Sequence, residues 1–125
     1  MKVLVTGVKG QLGYDVVKEL NNRKYTVVGV DIEDMDITDY SSVEGVLTKE
    51  KPDVVVHCAA WTAVDLAEDE ENREKVHLVN AVGTENIAKV CKMIDCKMIY
   101  ISTDYVFDGQ GTRPWEPDDE RNPLN

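Results

Sequence analysis

Three glycines near the amino terminus are the residues best suited to hold an anionic ligand. Gly7, Gly10 and Gly13 are spaced Gly-x-x-Gly-x-x-Gly and follow an apolar segment directly. In a dinucleotide phosphate loop the first glycine makes a tight turn, the second lets main chain approach a pyrophosphate, and the third lets the helix pack on the strand. The opening amides of that helix would face the anion. An ordinary strand-turn-helix corner is the alternative.

A carboxylate closes the next apolar segment. Asp31 follows Tyr25 to Val30, where a carboxylate can accept hydrogen bonds from both hydroxyls of an adenosine ribose. Asp is also common in turns and helix caps, so a structural role is the alternative. The glycine loop, the strand before it, the helix after it and this acidic strand end together predict a dinucleotide site.

Further small or polar residues follow later apolar segments. Ala59 and Ala60 come after Val54 to Cys58, where small side chains leave room for a cofactor to cross the sheet edge; bland loop alanines are the alternative. Ser102 begins a polar stretch after Met98 to Ile101, and open parallel sheets bind ligands at such strand ends. Asn80 lies next to an apolar helix position, and a solvated helix residue is an equal alternative there.

Apolar segments alternate with helical periodicity along the chain. The four apolar segments predict buried parallel strands: Lys2 to Thr6, Tyr25 to Val30, Val54 to Cys58 and Met98 to Ile101. Helical spacing predicts three helices: one carrying Leu12, Val16, Val17 and Leu20, one capped by Ser41 or Ser42, and one long helix from about Asp69 to Asp95. The alternation predicts an α/β fold, a Rossmann-like doubly wound parallel sheet of which only the amino-terminal part is present.

Composition narrows the class of protein. With 125 residues and 42% hydrophobic content, residues 1–125 suffice for one domain and one core. The net charge of -10 argues against nucleic-acid or anionic-membrane partners. No apolar run approaches a membrane span and no signal peptide is recognisable, so we expect a cytoplasmic protein.

Cysteines and histidines are expected to pack rather than bind metal. Three cysteines suit a reducing compartment, and Cys91 and Cys96 lack metal-ligand spacing. His57 and His77 lie in apolar patterns that favour core positions. No metal is therefore expected, and an uncovered strand edge would make a homodimer a reasonable expectation.

Taken together, these motifs resemble the amino-terminal part of the dTDP-4-dehydrorhamnose reductase family, which are extended short-chain dehydrogenases of nucleotide-sugar metabolism. The resemblance covers essentially the whole chain, and the stretch from Ser102 to Gly109 is its most specific part. The other matching stretches are Thr6 to Gly13, Asp36 to Asp39, Ala59 to Asp65, Val79 to Ala81 and Asn122 to Asn125.

The resemblance implies an NADPH or NADH cofactor, a nucleotide-sugar substrate and hydride transfer to C4 of a 4-keto sugar, giving dTDP-L-rhamnose. Thr103 matches the family's catalytic hydroxyl, which hydrogen-bonds the substrate carbonyl oxygen. The implied substrate-binding residues are Thr62, Val64 and Tyr105. The implied cofactor-binding residues are Gly7, Lys9, Gly10, Gln11, Leu12, Gly13, Asp31, Asp36, Ile37, Ala59, Ala60, Asn80 and Ser102.

Cofactor choice is ambiguous at this stage. Asp31 repels a 2′-phosphate and favours NADH, whereas Lys9 lies where short-chain enzymes often place a base that attracts one. Because family members commonly accept NADPH, dual use is expected.

One family feature is missing. The family's proton donor is a tyrosine followed four residues later by a lysine, and no such pair follows Met98 to Ile101. Tyr14 and Lys18 have the spacing but lie on the first predicted helix, so we interpret them as a chance match. The chain is therefore expected to end just before the pair and to be inactive alone. A catalytically silent NAD(P)-binding regulatory subunit and another nucleotide-sugar epimerase or dehydratase are the alternatives.

Overall fold

A computed structural model describes residues 1–60, 69–102 and 107–123. The strands in these ranges are β1 (Lys2–Thr6), β2 (Thr26–Val30), β3 (Val54–His57) and β4 (Lys97–Tyr100). The helices are α1 (Gln11–Asn22), α2 (Tyr40–Glu50), α3 (Arg73–His77) and α4 (Gly83–Met93). A 3-10 turn, Glu70–Asn72, precedes α3, and a π-helical turn, Leu78–Val82, joins α3 to α4. No helix in the described ranges combines the length and apolar character needed to cross a membrane.

The four strands form one parallel sheet in the order β2-β1-β3-β4. From β1 the chain moves outward to β2 and then returns to place β3 on the other side of β1. This reversal of strand order lies between β1 and β3, whose last residues Thr6 and His57 are paired in register. Ligands bind outside the carboxyl ends of the strands at such a switch point.

Helices cover both faces of the sheet, as a doubly wound fold requires. On one face α1 contributes Val16, Val17 and Leu20 to a cluster with Val3 and Val5 of β1. The larger cluster on the other face includes residues of β1, β2, the turn after β2, α2, β3 and α4: Leu4, Val30, Met35, Val43, Leu47, Val55, Ile87, Val90 and Cys91. The predicted Rossmann-like class is confirmed.

The prediction for the cap of α2 was wrong. Asp39 is the cap, and its side chain accepts a hydrogen bond from the Ser41 amide at 3.0 Å. Ser41 and Ser42 lie inside the helix, where the Ser42 hydroxyl instead accepts a hydrogen bond from the Asp36 amide. The cap therefore lies two residues before Ser41 and three before Ser42.

Three further expectations needed correction. The segment from Asp69 to Asp95 is helical, but the π-helical turn interrupts its α-helical geometry. Strand β4 is not buried: Ile99 and Tyr100 are 50% and 53% exposed, because β4 pairs only with β3 in the described part of the sheet. His77 is exposed rather than buried.

The cysteines pack as expected. Cys91 is a buried member of the larger cluster and Cys96 packs against it. Burial raises the pKa of the Cys91 thiol to about 12, so the thiol stays protonated.

Candidate cofactor-binding site

Two glycines of the loop between β1 and α1 are required by the fold itself. Gly7 has φ +70°, and a Cβ there would lie 2.8 Å from the Ala59 amide nitrogen. A Cβ on Gly13 would lie 2.1 Å from the Gly7 carbonyl oxygen. Any larger side chain at either position would push the loop away from β3 or lift α1 from the loop.

Gly10 is different, because no close protein contact in the described ranges demands a glycine there. A Cβ on Gly10 would meet only the Gly7 carbonyl oxygen, at 3.4 Å, which is ordinary contact. The residue is exposed and has a common backbone conformation, with φ -81°. A glycine is nevertheless what a loop needs where main chain must approach a bulky anion.

The start of α1 is suited to an anion. Its cap residue, Gly10, has no side chain to accept a hydrogen bond from the helix, and the first turn contains no acidic residue. The opening amides and the positive end of the helix dipole therefore face the loop without an internal counter-charge. Gln11 and Leu12 lie in this first turn, and Leu12 is 45% exposed rather than part of the core face. A dinucleotide pyrophosphate fits this cradle.

Asp31 has the predicted structural role in a turn, and its carboxylate also contacts the glycine loop. Its backbone oxygen accepts hydrogen bonds from the amides of Asp34 and Met35, which forms the turn after β2. Its carboxylate accepts hydrogen bonds from the Lys9 amide at 3.0 Å and the Ile32 amide at 2.8 Å. The turn thus fixes the carboxylate beside the glycine loop, where a ribose hydroxyl could donate to it.

The Lys9 side chain reaches from the loop to Glu33, with which it forms a hydrogen-bonded ion pair. That bond holds the pKa of Lys9 above its ordinary value and the pKa of Glu33 below it, so both groups are charged. Sequence reasoning missed Glu33. The available signal was a second carboxylate two residues after Asp31, which local patterns do not connect to Lys9.

Behind the loop, Thr6 and His57 join the ends of β1 and β3. The Thr6 hydroxyl accepts hydrogen bonds from the amides of Cys58 and Ala59, each at 3.0 Å. These bonds use both of its lone pairs, so the hydroxyl hydrogen is donated to Nδ1 of His57, at 2.8 Å. Thr6 is 1% exposed and His57 2% exposed.

The hydrogen bond at the other ring nitrogen of His57, Nε2, indicates the same tautomer. Thr84 donates its hydroxyl hydrogen to the Asn80 carbonyl oxygen at 2.8 Å, so it accepts a hydrogen bond from Nε2 of His57 at 3.1 Å. His57 is therefore neutral with its proton on Nε2, and burial lowers its pKa to about 4. This chain of hydrogen bonds, the Thr6–His57–Thr84 relay, connects the loop after β3 to the π-helical turn that carries Asn80.

Of the remaining predicted residues, some lie in the described ranges and four lie outside them. Ala59, half-buried, and Ala60, exposed, follow β3 beside Gly7, and Ser102 is exposed after β4. Asp36 accepts hydrogen bonds from Thr38 within its own turn. Ile37 packs against Gly83, where a Cβ would lie 2.7 Å from its side chain. Four predicted residues lie outside the described residues: Thr62, Val64, Thr103 and Tyr105.

The structure therefore gathers part of the predicted site at one edge of the sheet. Gly7, Lys9, Gly10, Asp31 and Ala59 lie together at the carboxyl ends of β1, β2 and β3, linked by the contacts above. The arrangement offers helix amides for a pyrophosphate, a fixed carboxylate for a ribose and a small-residue floor. It fits a nicotinamide dinucleotide.

Comparisons with known proteins place this geometry in a family. The family model described as "RmlD substrate binding domain" matches residues 1–125. A dTDP-4-dehydrorhamnose reductase of Mycolicibacterium smegmatis is 41% identical over 125 residues, which are 99% of this chain and 37% of the relative. The crystal structure of a dTDP-4-dehydrorhamnose reductase from Bacillus anthracis in complex with NADP has a TM-score of 0.93 and 37% identity, covering 99% of this chain and 43% of that one.

A relative with a different name also matches. The "Methionine adenosyltransferase 2 subunit beta" of Xenopus laevis is 35% identical over 131 residues, covering 99% of this chain and 38% of the relative. The chain spans about two fifths of the length of the proteins it matches. Since the family model covers all 125 residues, the chain belongs to the RmlD substrate binding domain family.

Proposed function

We propose that the protein containing this chain is an NAD(P)H-dependent reductase that converts dTDP-4-dehydro-L-rhamnose to dTDP-L-rhamnose. The observation that carries the proposal is the loop around Gly10, open to an anion at the switch point and flanked by the fixed Asp31 carboxylate. The names of the reductases it resembles support the reaction.

Within this proposal the chain supplies the cofactor half of the site. Gly10 and the start of α1 bind the pyrophosphate, and Asp31 accepts hydrogen bonds from the adenosine ribose. The nicotinamide, when bound, supplies the hydride for C4 of the sugar. The Thr103 hydroxyl donates a hydrogen bond to the substrate carbonyl oxygen as negative charge develops there. Other proposed cofactor contacts are Asp36, Ile37, Ala59, Ala60, Asn80 and Ser102, and the proposed sugar contacts are Thr62, Val64 and Tyr105.

Residues 1–125 alone are proposed to bind the cofactor without turning over substrate. No Tyr-x-x-x-Lys pair follows β4 within the 125 residues. Tyr14 and Lys18, which have that spacing, are exposed on α1 next to the phosphate loop. A phenol there would stand at the pyrophosphate end of the cofactor rather than at the nicotinamide.

The test is turnover by the full-length protein. Purified protein is mixed with dTDP-4-dehydro-L-rhamnose and NADPH or NADH, and cofactor oxidation is followed by absorbance with the product identified by mass. We expect stoichiometric cofactor oxidation and a product two mass units heavier than the substrate. A protein that binds dinucleotide and substrate without oxidation would contradict the reductase assignment.

A second candidate is a regulatory subunit that binds the dinucleotide without catalysis. The similarity to the Xenopus laevis protein, whose name describes a subunit of another enzyme, favours it. The same assay separates the two, because a regulatory subunit would bind NADH or NADPH and leave it unoxidised. Cofactor retained through purification would instead favour an epimerase, which recycles its own hydride.

A further inference from the structure

We infer that Glu33 determines cofactor choice in this site. By holding the Lys9 ammonium in an ion pair beside Asp31, Glu33 removes the cation that a 2′-phosphate would need, so that the site prefers NADH to NADPH. The inference rests on the proposed dinucleotide site and adds to it a residue outside the glycine loop and the β2 carboxylate.

The position of Lys9 is set at both ends. Its amide donates to one oxygen of Asp31 at 3.0 Å, and its ammonium group pairs with Glu33. Lys9 therefore lies along the surface between the glycine loop and the turn after β2. In that position its charge is directed to a protein carboxylate rather than to the space in front of Asp31, where the adenosine ribose is proposed to lie.

The local charge disfavours a second phosphate. Three carboxylates act electrostatically on Lys9, namely Glu33, Asp31 and Asp34. With one cation against three anions the group carries a formal charge of about -2, and a phosphate monoester adds about -1.5 to -2 at neutral pH. A phosphate close to these carboxylates would be repelled by them. A ribose 2′-hydroxyl carries no charge and can donate a hydrogen bond to Asp31.

Glu33 rather than Asp31 is the residue whose change should move the preference most cleanly. Asp31 also holds the loop through the Lys9 and Ile32 amides, so its substitution alters both the loop and the charge. Glu33, by contrast, contacts Lys9 through an exposed ion pair. The Glu33 side chain is 58% exposed and the Lys9 side chain 67% exposed. Exposed ion pairs contribute little to stability, so a Glu33→Gln variant should fold normally and free Lys9 to bind a phosphate.

The experiment measures dissociation constants of NADH and NADPH for the full-length protein by fluorescence titration. Wild type is expected to bind NADH more tightly. In Glu33→Gln, NADPH binding should tighten about tenfold while NADH binding changes less than about twofold. The double variant Lys9→Gln/Glu33→Gln should lose that gain, because the gain requires the released ammonium. The control is Glu19→Gln, which breaks the Glu19–Arg23 pair on α1 with the same change in net charge and should leave the ratio as in wild type.

The outcomes separate this inference from the proposed function. An unchanged NADPH to NADH ratio in Glu33→Gln, or a gain that survives in the double variant, overturns the role of Glu33 and leaves the dinucleotide site standing. A tighter NADPH complex in the Glu19→Gln control would assign the effect to net charge and would equally overturn it. A wild-type protein that binds neither dinucleotide overturns both proposals.

Discussion

At the residue scale, the three loop positions are occupied by glycine for different physical reasons. A side chain at Gly7 or Gly13 would overlap protein atoms, since an added Cβ would lie 2.8 Å or 2.1 Å from the nearest of them. Gly10 meets nothing closer than 3.4 Å in the described part of the chain. Packing accounts for Gly7 and Gly13, and the reason proposed for Gly10 is the approach of a pyrophosphate to the main chain.

This difference predicts opposite phenotypes for two alanine variants. Gly13→Ala should destabilise the fold by about 1–3 kcal/mol because its Cβ overlaps the Gly7 carbonyl. For Gly10→Ala, the free energy of unfolding should stay within about 0.5 kcal/mol of the wild-type value. The same variant should bind NADH at least about tenfold more weakly. Urea unfolding and cofactor titration measure the two effects, and a Gly10→Ala protein with full affinity would contradict the proposed pyrophosphate contact.

His57 gives the chain a pH dependence at the same scale. Its pKa of about 4 lies below the value of 6.5 expected in the unfolded chain. The unfolded state therefore binds more protons than the folded state between these values, and stability falls as pH drops from 6.5 towards 4. The loss approaches about 3 kcal/mol at the lower end.

The measurement is the free energy of unfolding at pH 7, 6 and 5. In His57→Gln this dependence should become shallower, since the buried titrating group is gone, although the variant should be less stable at pH 7 through loss of the relay. His77→Gln is the matched control because His77 is exposed. A steeper or unchanged slope in His57→Gln would contradict the assignment.

At the element scale, the strand segments and their alternation with helices were predictable from sequence. The side-chain contacts between the elements were not. Continuous apolar runs such as Lys2–Thr6 identify a parallel strand covered on both faces, since neither face can be polar. The position of Asp31 at the carboxyl end of a strand could be predicted because the residue directly follows such a run. The Thr6–His57 hydrogen bond joins residues 51 positions apart, and the Lys9–Glu33 pair joins residues 24 apart. Local periodicity carries no information on pairings at that separation.

The errors at helix ends have a related cause. Asp39, Ser41 and Ser42 are all good capping residues, and only the path of the chain before α2 selects the first of them. The exposure of His77 likewise depends on which side of α3 faces the sheet. Five residues of α3 followed by a π-helical turn are too short a pattern to settle that.

The carboxyl end of α2 provides a stability prediction at this scale. Lys51 follows the helix with φ 49°, a left-handed conformation that costs a residue with a Cβ about 1–2 kcal/mol. Lys51→Gly should therefore stabilise the fold by about 0.5–1 kcal/mol. Lys49→Gly removes the same side chain inside the last turn and should destabilise by about 1 kcal/mol. Equal effects of the two variants in urea unfolding would contradict the argument.

At the scale of the whole molecule, the proposed site is assembled from separate parts of the chain. The glycine loop, the turn after β2 and the loop after β3 come together only when β1, β2 and β3 pair. The Thr6–His57–Thr84 relay then connects this edge to α4, which packs in the core on the opposite side from α1. A ligand held across these strand ends can bind only the folded chain.

Binding should therefore stabilise the fold as a unit. With free NADH at a hundredfold excess over its dissociation constant, the free energy of unfolding should rise by about 2.7 kcal/mol if the unfolded chain does not bind. Gly10→Ala at the same NADH concentration should gain less, in proportion to the logarithm of its weaker affinity, while Gly45→Ala, whose Cβ would meet nothing within 4 Å, should gain as much as wild type. Urea unfolding with and without NADH measures all three. Equal stabilisation of wild type and Gly10→Ala would contradict the proposed contact of Gly10 with the dinucleotide, because a ligand held by the loop must bind the variant more weakly.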